Sequence, residues 1–297
     1  MNIYTLPVLK AVLPKFIYKR ILTKVARASV IGYFSALPEP PSEEILNVVN
    51  YLKSHPITVF PYQSLDRYIA DSVEVFEDRE RGLRYVLLDG KRLYFKRRWS
   101  KARIRKTFNG LLKEQDPSCP HCYETGNFKV ETGDVLVDIG AAEGNFALSA
   151  VEKASRIILF ESNPEWIEAL NATFEPWKNK VTIVNKFVGE ITDEECTTLD
   201  DFFPQEEKVS FLKIDVEGAE SQLLKGCRRM LRDKVPLKLA ICTYHKQEDE
   251  EEINGLLSGY GFETSHSYGY MLLYHDPKFK APFLRRGLIR AVKRDIY

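Results

Sequence analysis

The chain has no apolar stretch near the ~18 residues that a membrane-spanning helix needs, so no transmembrane helix is expected. It has few cysteines. Cys119, Cys122, Cys196, Cys227 and Cys242 make an odd count with no leader ahead of them, which argues against a disulfide framework and for a reducing, cytoplasmic setting. No small-residue cleavage site follows an apolar core near the start, so no signal peptide is expected. Nothing repeats along the chain. Acids are absent from Met1 to Pro38, where Lys10, Lys15, Lys19, Arg20, Lys24 and Arg27 give +6. Acids are scarce again from Lys278 to Tyr297, where seven basic residues face Asp295 alone, again +6. The whole chain is only +1, so the middle is strongly acidic. Two basic ends on an acidic body point to an anionic contact or to contact with the body itself. A hydrophobic content of 44% is ample for a packed core and excludes a disordered chain.

What is present centres on Val135 to Phe146, Val-Leu-Val-Asp-Ile-Gly-Ala-Ala-Glu-Gly-Asn-Phe. An apolar run ends in an acid, two glycines follow four apart, and a helical pattern begins. This reads as a buried strand, a tight loop and a helix, with small residues that let backbone approach a ligand closely. The GxGxxG dinucleotide fingerprint is absent, because Ala142 stands where its second glycine would be. Asp-x-Gly-x-x-x-Gly suits a nucleotide-like ligand without phosphate, principally S-adenosylmethionine. Asp138, Gly140, Ala141, Ala142, Gly144 and Asn145 are the candidates to hold it. A second apolar run, Arg156 to Phe160, closes on Glu161 about 20 residues further on, where an acid gripping ribose hydroxyls belongs. A carboxylate can accept both hydroxyl hydrogen bonds, and Ser162 follows it. Lys186 and Phe187, after the third strand, fall where adenine packs. Phe187 is read as a stacking face or, alternatively, a core residue.

Three blocks together resemble the FkbM family of S-adenosylmethionine-dependent methyltransferases. They are Val137-Asp138-Ile139-Gly140-Ala141-Ala142-Glu143-Gly144, Phe160-Glu161-Ser162-Asn163, and Phe211 to Glu220 preceded by Thr198-Leu199-Asp200. Lys213-Ile214-Asp215-Val216-Glu217-Gly218-Ala219-Glu220 is the most specific of these. The likeness runs from about Pro120 to Tyr274. Tyr244-His245-Lys246 resembles members tied to capsule or surface-polysaccharide synthesis, although many members have an acid near this point. Pro120-His121-Cys122-Tyr123 matches a Pro-His-x-Tyr segment of relatives. The resemblance implies an α/β, Rossmann-like class I methyltransferase fold. Its seven-stranded, mostly parallel sheet would be ordered 3-2-1-4-5-7-6 with the seventh strand antiparallel. It further implies S-adenosylmethionine as cofactor and a sugar or glycan acceptor, with His121, Tyr123, Tyr244 and Lys246 at the acceptor.

Methyl transfer to a hydroxyl needs alignment, worth ~7 kcal/mol in good cases, and a base within hydrogen-bond reach. Asp215, at the end of the fourth strand, and Glu217 are catalytic candidates. His245 competes as the base, since an imidazole exchanges a proton near neutral pH. Capping of a helix N-terminus is the alternative for these acids, above all for Glu220. No metal site is expected. Cys119-Pro120-His121-Cys122 has no second Cys/His pair for zinc, and as a redox motif it ends a helix instead of following a strand. Aromatics and cations interleave between Tyr85 and Trp99, but a cap strand with solvated lysines fits better than a nucleic-acid platform.

The pattern divides the chain into 1–116, an N-terminal α+β extension with a basic amphipathic start; 117–277, the methyltransferase domain; and 278–297, a basic C-terminal tail. Within the extension, 57–60 reads as a short strand and Asp89-Gly90 as a hairpin turn. A late hairpin is expected at 263–267 and 270–274, and one helix from Ala219 to Leu231. In the tail, Leu284, Leu288, Ile289 and Val292 can share a helical face suited to an anionic membrane surface. Packing on the acidic body, or on a second copy in a homodimer, is the alternative. The expected function is O-methylation of a sugar or glycan precursor, cytoplasmic or peripheral at the inner membrane face. The rivals are a non-catalytic adapter docked to a glycan-assembly complex and a methyltransferase of secondary metabolites.

Overall fold

The computed structural model describes residues 13–233 and 235–294. The start of the first expected helical pattern, at Leu9 and Val12, lies outside the described residues. Pro14 stands at the N-cap of α1 (Lys15–Ser35), where its missing N–H costs no helical hydrogen bond. α2 (Glu43–Ser54) packs against it. Ala26, Val30 and Phe34 meet Val48, Val49 and Leu52, and Leu272, Phe279, Phe283 and Leu284 from the far end of the chain close this small core. The segment 57–60 is not a strand; a backbone bond from Leu272 N to Val59 O, 2.9 Å, ties it to the late segment.

β1 (Phe76–Asp78), β2 (Leu83–Leu88) and β3 (Lys91–Phe95) form an antiparallel sheet. Asp89 and Gly90 turn β2 into β3 with positive φ at both residues, as a tight hairpin of this kind demands. α3 (Lys101–Glu114) starts at Ser100, whose Oγ accepts from Arg103 N at 3.2 Å. The extension is not a separate unit. Val86, Leu93, Phe95 and Ile104 lie in one core with Leu136, Phe146, Trp166 and Leu170 of the following domain.

Strands and helices then alternate: β4 (Val135–Ile139), α4 (Asn145–Ala150), β5 (Arg156–Phe160), α5 (Pro164–Phe174) and β6 (Val181–Val184). A short pair, β7 (Phe187–Val188) and β8 (Cys196–Thr197), precedes α6 (Leu199–Phe202) and β9 (Phe211–Ile214). The expected 219–231 helix is split into α7 (Glu220–Lys225) and α8 (Arg228–Arg232). Gly226 separates them, and a Cβ there would meet Gly189 O at 2.0 Å. β10 (Leu237–Cys242), α9 (Asp249–Gly259), β11 (Glu263–His266) and β12 (Leu288–Lys293) complete the chain.

The main sheet runs β11-β12-β10-β9-β4-β5-β6, which is 3-2-1-4-5-7-6 counted along the chain. Only β12 runs antiparallel to its neighbours, as expected. Alternate strand residues go to opposite layers: Leu136, Ile157, Leu159 and Phe211 to one, Val137, Ile158, Phe160 and Leu212 to the other. The seventh strand, however, is not at 270–274. It is Leu288–Lys293, inside what the sequence suggests is a basic tail. Leu288, Ile289 and Ala291 are fully buried, and Arg290 and Lys293 spend their charge on carbonyls of Cys122, Tyr123 and Leu231. The unit expected at 117–277 therefore extends to Lys293, and the helical face expected for Leu284, Leu288, Ile289 and Val292 does not form. No described helix is long and apolar enough to cross a membrane.

Candidate active site

Five parallel strands deliver their carboxyl ends to one cavity of about 830 Å³, the crevice where ligands bind in open α/β sheets. β4 brings Gly140 and Ala142, β5 brings Glu161 and Ser162, β6 brings Lys186 and Phe187, β9 brings Asp215 and Glu217, and β10 brings Tyr244 and His245. Ile139, Phe160, Asn163, Val216, Lys96 and Trp166 also line it; the sequence reading picked none of these as site residues. Asp138, Ala141, Gly144 and Asn145 do not line it.

Asp138 is buried and pairs with Lys213 at 3.0 Å. The two face each other in register on adjacent buried strands. Lys213 Nζ also donates to Gly140 O at 2.7 Å. Burial alone would depress the Lys213 ammonium, but Asp138 and Asp215 keep it charged. The glycines answer to close approaches within the protein. A Cβ on Gly140 (φ +71) would meet Asp215 O at 2.0 Å, and one on Gly144 would meet Leu170 and Phe174 of α5.

Glu161 Oε2 accepts from Ala142 N at 2.9 Å and Oε1 from Asn163 N at 2.7 Å, which fixes the carboxylate and leaves each oxygen a free lone pair. Phe187 shows 57% of its surface, so the core reading of that residue fails. Lys186 turns its ammonium to Asp193 O at 3.3 Å.

At the other end, Asp215 collects hydrogen bonds. Tyr123 Oη donates to Oδ2 at 3.0 Å and Tyr244 Oη to Oδ1 at 3.1 Å. His121 Nε2 lies 3.6 Å from Oδ2, and His245 Nε2 lies 3.6 Å from Oδ1. Burial would raise the Asp215 carboxyl, but His121, Lys213 and His245 together hold it far below the usual carboxylate range. It is a permanent anion and a poor base. His121 and Tyr123, expected at the acceptor, are instead buried supports beneath Asp215. Lys246 lies outside this cavity and lines a neighbouring one.

His245 is held differently. Its Nδ1 lies 3.0 Å from Oε1 of Glu220, a fully buried carboxylate that also accepts from Val216 N at 3.0 Å and Gly218 N at 3.3 Å. Glu220 therefore caps the turn and sets its charge at ion-pair distance from the ring, without an aligned hydrogen bond to Nδ1. Burial opposes the imidazolium, but the Glu220 carboxylate, with Asp215, raises the His245 pKa above its ordinary value. The 3.6 Å gap at Nε2 is longer than a hydrogen bond and faces the cavity.

Among the described residues, two side-chain groups come close enough to share an ion, His121–Asp215–Cys242 and Asp215–Glu220–His245. Burial keeps the Cys242 thiol protonated, and His245 turns a different ring nitrogen to each carboxylate, the arrangement of an ion-pair chain. Cys119 and Cys122 are buried, and burial pushes both thiols up, opposite to what a redox motif requires.

Residues 175–270 match the profile of the methyltransferase FkbM domain. This stretch holds the 213–220 signature, while the Gly140 loop and Glu161 precede it. The chain is similar to the crystal structure of methyltransferase FkbM from Methylobacillus flagellatus KT, with 15% identity over 93% of this chain and a TM-score of 0.45. It spans 59% of that protein's length. It is also similar to M. jannaschii TYW2 in complex with AdoMet, with 15% identity, 72% of this chain, 87% of that one and a TM-score of 0.43. No protein of curated function matches the sequence. The sheet order is the Rossmann-like, class I methyltransferase order that the sequence resemblance implies.

Proposed function

We propose that the chain is an S-adenosylmethionine-dependent O-methyltransferase acting on a hydroxyl of a sugar or glycan precursor. The observation that carries the reading is one cavity with a fixed carboxylate and an exposed aromatic at one end and a histidine paired with Glu220 at the other. The residues fit the cofactor. Glu161 keeps a lone pair on each oxygen for the ribose hydroxyls, Phe187 offers a ring face to adenine, and Asp215 supplies a permanent negative charge for the cationic donor. When bound, S-adenosylmethionine supplies an electrophilic methyl, whose C–S bond breaks as the acceptor oxygen forms the new C–O bond.

The chain's own part is alignment and proton removal. Glu220 places its negative charge 3.0 Å from Nδ1 of His245, which favours a proton there and leaves Nε2 to accept the proton of the acceptor hydroxyl. Asp215, locked by two tyrosines, steadies the imidazolium that results. Glu217 lies exposed between the cavity and its neighbour, placed to hydrogen-bond an acceptor. The sugar class rests on the Tyr244-His245-Lys246 likeness.

Calorimetric titration of S-adenosylhomocysteine tests the donor site. The full chain should bind it, and Glu161→Ala should weaken binding by ~1.5–3 kcal/mol through loss of hydrogen bonds to a charged partner. A folded variant with undiminished affinity would remove Glu161 from the ribose. A chain that binds no donor at all would leave the adapter reading standing.

A further inference from the structure

A second cavity, about 1010 Å³, adjoins the first across Glu217 and His245, which line both. Its far wall is the segment from Leu273 to Lys280. Arg285 ties that wall to the catalytic loop: Nη2 lies 2.6 Å from Asp276, and Nη1 donates to Tyr244 O at 2.9 Å and His245 O at 2.8 Å. Part of the lining is apolar, from Val59, Leu273, Pro277 and Phe279. The charged part is unbalanced. Arg285 and Asp276 neutralise each other, which leaves Lys246, Lys278 and Lys280 against Glu217 and Glu248. Lys278 and Lys280 are exposed, and neither has an ion-pair partner among the described residues.

His275, in the same wall, has its pKa lowered by burial and by the charges of Lys19 on α1 and Lys106 on α3. Three lysines from two parts of the chain, Lys246, Lys278 and Lys280, thus line one opening. A cluster held against its own repulsion is suited to a group carrying more than one negative charge, and lysine serves phosphate as a point charge.

We propose that this second cavity is the acceptor site and that it takes a phosphate-bearing acceptor, with the phosphate at Lys278 and Lys280 and the reacting hydroxyl at His245. The proposal rests on the methyl-transfer reading for the role of His245, but the anion site can be measured without it. The same chemistry is offered by a soluble sugar phosphate and by a lipid-linked one.

Inorganic pyrophosphate is the probe, titrated calorimetrically into the full chain and into a Lys278→Ala/Lys280→Ala variant, with S-adenosylhomocysteine titrated in parallel. Pyrophosphate should bind the wild type at low salt, fade with added salt and bind the variant about tenfold more weakly. S-adenosylhomocysteine should bind both alike. Equal pyrophosphate affinity in the two proteins, or none in the wild type at low salt, would overturn the proposal. Absence of S-adenosylhomocysteine binding would strike the methyl-transfer reading and leave the pyrophosphate result to stand or fall alone. Phosphatidylglycerol vesicles separate the two sources. Binding that pyrophosphate displaces marks a lipid-borne phosphate, and pyrophosphate binding without vesicle binding marks a soluble one.

Discussion

His245 and Glu220 form a base with a built-in setting. Glu220 raises the histidine's pKa above 6.5, so the neutral ring that accepts a proton becomes populated only as pH rises through that higher value. Turnover should climb with pH there. The pair's contribution to stability runs the other way: it is complete below the unfolded pKa and is lost as pH rises through the folded one. Glu220→Gln removes the largest raising influence, so the pH profile should shift to lower pH while maximal turnover falls. His245→Ala should cost ~10²–10⁴-fold, the usual worth of a positioned base. The measurement is turnover against pH for the three proteins. An unmoved profile in Glu220→Gln, or full turnover in His245→Ala, would return the base to the acids. At this scale the sequence put Glu161, Asp215, Phe187 and His245 at strand ends, and the structure gathers them around one cavity. Lys213 was passed over, although two opposite charges in two apolar runs, Asp138 and Lys213, announce a buried pair. Gly140 and Gly144 answer to close approaches within the protein, and the sequence does not distinguish these from a close approach by a bound ligand.

Among the elements, periodicity located β5 to the residue, because it is an uninterrupted apolar run closing on an acid. It failed at β12. Leu284, Leu288, Ile289 and Val292 have helical spacing, and Arg290 and Lys293 read as solvated charges. The breakers before the strand, Pro282 and Gly287, and the near-continuous apolar run between them and Lys293 favour a buried strand instead. Buried cations hid it. Arg290 donates from Nε to Tyr123 O at 3.1 Å and from Nη2 to Cys122 O, and so pins the segment that delivers Tyr123 to Asp215. Arg290→Met leaves two buried carbonyls without partners, which should cost about 2–4 kcal/mol in urea unfolding. A cost below about 0.5 kcal/mol, as expected of a solvated surface position, would show that the strand does not depend on this anchor.

For the molecule as a whole, the charge segregation resolves differently at the two ends. Apart from the exposed Lys278 and Lys280, most C-terminal cations are absorbed internally: Arg285 by Asp276, Arg286 by Glu44, Arg290 and Lys293 by carbonyls. That end answers the acidic body, which composition alone could not distinguish from a membrane. The other end does not close on itself. On α1, Lys15, Lys19, Arg20 and Lys24 are exposed, Phe16 shows 75% of its surface, and no acid lies between Lys15 and Ser35. If basic ends hold the chain at an anionic membrane, α1 is the described element that can do it. A basic helix with an exposed aromatic lies in such an interface, each cation adding about 1 kcal/mol near the surface. Deleting 278–297 cannot serve as the test, because that deletion removes β12. Lys15→Glu/Arg20→Glu/Lys24→Glu can, since these residues line neither cavity. The full chain should co-sediment with anionic vesicles at low salt and release them as salt is added, and the triple variant should stay in solution with its S-adenosylhomocysteine affinity unchanged. Equal sedimentation of both proteins would clear α1 of the role, and no sedimentation of the full chain at low salt would take the membrane out of the account.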